Sequence, residues 1–177
     1  MSSRNHELPQ SKSHAAVVMS AAEASEPKLK CRARLRVFGT YLAVVAAANL
    51  IWEVLQLPLY TIWTTADARQ QAFAVIHCTV GDVLIACSAL AIALPIGSGR
   101  AWPDDHYWRV AALAIGMGLG YTIFSEWFNV EVRRSWAYAP AMPVLPLLGT
   151  GLGPLLQWIV IPPLALAAAY RPWRTKS

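Results

Sequence analysis

Charge is what this sequence has least of. Only 14% of its 177 residues are Asp, Glu, Lys or Arg, against 56% hydrophobic residues. Soluble domains carry about 25% charged residues, so the composition argues against a water-exposed globule. Cysteine is scarce too, with Cys31, Cys78 and Cys87 and no CxxC pair. That excludes a disulfide framework and a thiol-redox motif, and leaves small apolar side chains as the reading for all three. Also missing are HExxH, a serine elbow, a nucleophilic Cys–His signature and a phosphate-binding glycine loop. No internal repeat is evident. The run 15–19 is too short for a signal-peptide core, and no small-residue cleavage site follows a long apolar run. The first long apolar run is therefore expected to be a retained helix.

Apolar runs, by contrast, are abundant. Four stretches, 37–63, 72–97, 109–129 and 147–170, reach the ~20 residues that a membrane helix needs. One such stretch alone reads equally well as a buried core helix. Four in a row with short polar joints predict an all-α, polytopic integral membrane protein, with a four-helix transmembrane domain over 37–170. Residues 1–36 read as a disordered basic tail and 171–177 as a short basic one. Orientation follows from the cations. Lys28, Lys30, Arg32, Arg34, Arg36, Arg100, Arg109, Arg171, Arg174 and Lys176 would share one side, against Arg69, Arg133 and Arg134 on the other. The positive-inside bias places both termini in the cytoplasm, in a bacterial-type inner or plasma membrane. The net charge of +5 then reflects topology, and no nucleic-acid partner is implied.

Ionisable residues inside spanning helices are costly and face a bundle interior. In the first stretch Asn49, Glu53, Gln56 and Tyr60 recur at steps of four, three and four, which puts them on one stripe. Trp52 and Trp63 border it, and Pro58 breaks the backbone ladder just beyond. In the second stretch His77, Gly81 and Ser88 share a face. Asp82 is about 140° from His77 by helical phase, so His77 is preferred as the site member because it matches Glu53 in depth. The third stretch aligns Gly118, Thr122, Ser125, Glu126 and Asn129, while Gly116 and Gly120 form a GxxxG pair suited to close packing. The fourth aligns Gly149, Gly153 and Gln157, with Pro154, Pro162 and Pro163 predicting a kinked helix. Alternating helix direction brings Asn49, Glu53, Gln56, His77, Glu126, Asn129 and Gln157 into the outer half of one bundle.

The segment 130–146 is apolar and aromatic yet too proline-rich for a helix. Trp136 and Tyr138 would anchor it at headgroup depth, and it is expected to fold over the site as a lid. Arg133 and Arg134 would either hold an anionic headgroup or snorkel to lipid phosphates, with snorkelling preferred.

Glu53, His77 and Glu126 are the residues expected to carry chemistry. They are metal-ligand types, but their spacing supports no metal, and no cofactor is indicated. As general acid and base they suit proton transfer on a lipid-soluble substrate. Asn49, Gln56, Asn129, Arg133, Arg134, Trp136, Tyr138 and Gln157 would line its binding site. Two other classes stay open. One is a proton-coupled transporter, which four helices would need to build as a homo-oligomer. The other is a non-catalytic subunit, its polar stripe a socket for a membrane partner. Asp104 and Asp105 are expected to cap the third helix, and His106 beside them has no catalytic role. Haem is not expected, because His77 and His106 would lie on opposite sides.

Overall fold

The computed structural model describes residues 10–98, 102–103 and 105–174, with side chains over 31–98, 102–103 and 105–170. The chain runs α1 (Gln10–Gln56), a 3-10 turn (Leu57–Leu59), a short α2 (Ile62–Thr65), α3 (Ala68–Gly97), α4 (Tyr107–Trp127), a π-helical turn (Phe128–Val132), β1 (Val144–Leu145), β2 (Thr150–Gly151) and α5 (Leu152–Arg174). Four helices, Cys31–Leu59, Ala68–Gly97, Tyr107–Val132 and Leu152–Tyr170, are long and apolar enough to cross a membrane. They close a ring. α1 packs on α3 and α5, and α4 packs on the same two, so α1 and α4 stand on a diagonal.

Each helix buries one face for a local reason. On α1 the buried residues are Ala33, Val37, Tyr41, Val45, Asn49, Glu53 and Gln56, one per turn. This stripe begins apolar and ends polar. On α3 the buried face is mostly small, Ala86, Ala89, Ala93 and Gly97, with Val75 and Leu90 also buried. A side-chain carbon added to Gly97 would lie 2.8 Å from Leu113 and 3.4 Å from the Val110 backbone, so α3 and α4 meet closely there. Small residues at helix contacts are what membrane bundles need, because lipid supplies no hydrophobic drive between helices. Aromatic rings close this end. Tyr107 stacks on Tyr170 at 4.4 Å between centroids, and its hydroxyl donates to Leu166 O at 2.6 Å. We call this the closed end. The other, where α1 gives way to α2 and α4 to the loop before α5, is the open end.

Several boundaries differ from the sequence expectation. α1 starts well before residue 37. From Gln10 on, the expected tail is helical, no Gly or Pro interrupts residues 28–38, and Ala33 and Val37 are already in the packed stripe. Residues 1–9 and 175–177 lie outside the described residues. The stretch 147–151 is not the start of the last helix. The chain reverses there, with Val144 and Leu145 paired antiparallel to Gly151 and Thr150 and Gly149 at φ +62°, a conformation that glycine adopts at no steric cost. Gly116 and Gly120 do not mark a helix contact, since a side-chain carbon on either meets nothing within 4 Å. Gly118 marks it instead: the added carbon would fall 2.0 Å from Trp158, so the indole lies flat against bare backbone. The N-cap of α4 is His106, with φ 60° and no side-chain cap bond. Asp105 accepts from the His106 N–H at 2.8 Å, and Asp104 lies outside the described residues. α3 is capped as a box: Asp67 accepts from the Gln70 N–H at 2.8 Å, and Gln70 accepts from the Asp67 N–H at 3.2 Å.

Candidate functional site

The polar end of the α1 stripe meets α3 and α5 in a buried network. Gln157 Nε2 is its hub. It lies 2.7 Å from Asn49 Oδ1, 2.8 Å from Asp82 Oδ2 and 3.0 Å from Glu53 Oε1. An amide nitrogen has two hydrogens, so three oxygens share them. Gln56 Nε2 donates to Glu53 Oε1 at 2.7 Å and to Gln157 Oε1 at 3.2 Å. Trp52 Nε1 donates to Gln56 Oε1 at 3.2 Å. The Glu53 and Asp82 carboxyls share the Gln157 amide nitrogen as a donor. The network is therefore rich in acceptors and closed on itself.

Glu126 stands apart from it, on α4. It is 7% exposed, and its Oε2 accepts from the Tyr138 hydroxyl at 2.5 Å. That hydroxyl in turn accepts from the Gly151 N–H at 2.9 Å. Burial, and the Glu126 carboxyl beside it, push the Tyr138 phenol above its ordinary range, so it stays a donor. The Trp136 indole is turned toward Glu126 without completing a hydrogen bond. The loop that carries these residues is tied to the turn after α1. Thr61 N–H donates to Ala137 O at 3.0 Å and Ala139 N–H to Leu59 O at 2.9 Å, and the Tyr60 and Tyr138 rings lie 5.6 Å apart. A backbone strap thus crosses the diagonal between α1 and α4.

Between α3 and α4 the bundle is open. A cleft of ≈ 1530 Å³ is lined by residues of α1, α3, α4, α5 and the loop before α5, Glu53, Asp82, Glu126 and Gln157 among them. Gly81 faces it with nothing within 4 Å of an added carbon. The helices that touch at Gly97 have separated by this level.

Sequence reasoning and structure meet unevenly. Asn49, Glu53, Gln56 and Gln157 share the network, while Glu126, Trp136 and Tyr138 form the second group. Asn129 and Arg133 line the cleft, and the Asn129 amide is turned onto Ser125 O at 2.8 Å. Arg134 is exposed at φ 52° and is not among the lining residues. His77, preferred on depth, is exposed at the cleft and stacked on Phe73 at 5.7 Å. Asp82, set aside on phase, is the α3 residue bonded to Gln157. A usable signal was present. Ala86, Ala89, Ala93 and Gly97 mark the packed face of α3, and Asp82 lies one turn before Ala86 on that face. Trp158 had no such signal. Among the described residues no group of three or more His, Cys, Asp or Glu side chains is arranged to hold a metal.

Compared with protein-family models, curated proteins and solved structures, the chain matches none.

Proposed function

We propose that this is an integral membrane protein, both termini cytoplasmic, that admits a lipid-soluble molecule sideways between α3 and α4. Proton transfer at Glu126 is its chemistry. The observation that carries the reading is the combination of a cleft lined by α3 and α4 with a buried carboxyl in its lining. The flanks of the cleft are large apolar residues that face outward, among them Phe73, Leu84 and Tyr121, as lipid contact requires. A carboxyl held there among uncharged partners is suited to give or take a proton. In this reading His77, exposed at the cleft, exchanges protons with the surroundings, whereas Glu53 is held in the network by Gln56 and Gln157.

A second reading belongs to the other half of the site. The Asn49–Glu53–Asp82–Gln157 network spends its donors on itself, which favours a role in holding the bundle together and supports an accessory-subunit function.

Native mass spectrometry of the full chain released from mild detergent tests both readings. The wild type is expected to retain a lipid-soluble molecule. Glu126→Gln, which keeps the shape and removes the acid, is expected to retain a chemically different species. The same species in both would leave a binder without chemistry. A bare chain in both would sink the ligand reading and favour the accessory role.

A further inference from the structure

Three buried polar side-chain atoms among the described residues have no hydrogen-bond partner: Trp102 Nε1, Thr122 Oγ1 and Trp136 Nε1. Two of the three flank Glu126. Thr122 lies one turn before it on the same face of α4, and Trp136 is turned toward it from the loop. Both line the cleft. Buried polar groups are nearly always paired, and each exception calls for an explanation.

Thr122 is the more telling of the two. It is 6% exposed. A helical Thr or Ser in an apolar setting ordinarily turns its hydroxyl onto the carbonyl four residues back. Thr79 does so within α3, bonding Val75 O at 2.8 Å. Thr122 does not, and its hydroxyl is left for something else.

We infer that the ligand is a neutral lipid alcohol, an apolar chain ending in one hydroxyl, seated head-first among Thr122, Trp136 and Glu126. The inference rests on the cleft being a ligand site. The donor and acceptor balance selects the head group. Trp136 N–H is a donor only and needs an acceptor. Glu126 already accepts from Tyr138 and takes a further donor. A hydroxyl supplies both from a single oxygen, accepting from Trp136 or Thr122 and donating to Glu126. A ketone or ester oxygen brings acceptors alone. A carboxylate likewise brings acceptors and no donor for Glu126. An ammonium would leave both donors unmet, and a hydrocarbon would pair with none of the three. The apolar chain runs outward past Ile85, Ile92 and Met117, which line the same cleft.

The test is a native mass-spectrometric titration of the full chain in mild detergent with 1-dodecanol, dodecane and dodecanoate. Wild type is expected to hold dodecanol about tenfold more tightly than either of the others, the worth of one well-made buried hydrogen bond. Thr122→Val, nearly the same shape without the hydroxyl, is expected to lose that preference, and Thr122→Ser to recover it. Thermal midpoints of the two variants confirm that both fold. Equal binding of dodecanol and dodecane, or an unchanged preference in Thr122→Val, overturns the alcohol and leaves a non-selective apolar cleft. Tightest binding of dodecanoate overturns it in favour of an acidic ligand. Binding of none of the three overturns the ligand reading along with it, with water as the partner of Thr122.

Discussion

The two ends of the bundle use the same four helices and pack in opposite ways. At the closed end Ala and Gly on α3 let it approach α4 closely at Gly97, Val37, Leu90, Val110 and Leu166 pack around them, and aromatic rings fill what remains. At the open end the run of small residues on the packed face of α3 stops. α3 carries Asp82 and Cys78 where it carried Ala86 and Ala89 a turn or two later, and the gap to α4 widens into the cleft. Polar bonds between α1, α3 and α5 take over the work of packing. The lesson is that close approach in an apolar solvent depends on small side chains. Where they run out, a bundle either separates or recruits hydrogen bonds, and this one does both.

The comparison is sharpest at two glycines two residues apart. Gly118→Leu would drive a side chain into Trp158 and is expected to cost more than about 3 kcal/mol, enough to abolish folded protein. Gly120→Leu points into open space and is expected to stay within about 0.5 kcal/mol of wild type. Thermal unfolding in detergent, followed by size exclusion, reads both. Equal behaviour would break the claim that packing is localised to one face of α4. Next in size is Gln157→Leu. It leaves Asn49, Glu53 and Asp82 without their shared donor, at an expected cost of about 2–3 kcal/mol. A loss below 0.5 kcal/mol would show that the network does not hold the open end.

Smaller effects probe the Glu126 side. Tyr138→Phe removes the bond to Glu126 and is expected to cost about 1 kcal/mol. Amide exchange should quicken at Gly151, which loses its acceptor, and no change there would mean that the hydroxyl bonds are dispensable. Thr122→Val is expected to stabilise the ligand-free protein by about 1 kcal/mol, because it removes an unmet buried hydroxyl. A destabilisation of that size would point to a partner for the hydroxyl. His77→Ala, on an exposed surface, should leave stability within about 0.5 kcal/mol.

Much of the architecture was legible in the sequence because hydrophobic length and polar phase are one-dimensional signals. Four apolar runs read as four helices, and Asn49, Glu53, Gln56, His77, Glu126, Asn129 and Gln157 read as one polar cluster, of which Asn49, Glu53, Gln56 and Gln157 share the network. What escaped depends on which face of a helix is packed. Phase alone separates His77 from Asp82 without saying which points inward; the Ala and Gly run further along α3 says it, and depth matching does not. Gly116 and Gly120 have the spacing of a contact, but Gly118 makes it, because the large partner is Trp158 on a helix whose rotation the sequence does not reveal. The reversal at 147–151 was hidden by its apolar composition, Gly149 being its one local mark.

The strap across the diagonal has a different standing from everything else at the open end. Its hydrogen bonds run from Thr61 to Ala137 and from Ala139 to Leu59, main chain to main chain. Among substitutions at the two donor positions, only proline deletes an amide hydrogen outright. The Gln157 hub can be erased by a single codon change, whereas the strap is nearly indifferent to what its residues are. Sequence drift at this end would therefore be expected to alter the chemistry in the cleft long before it alters the frame around it.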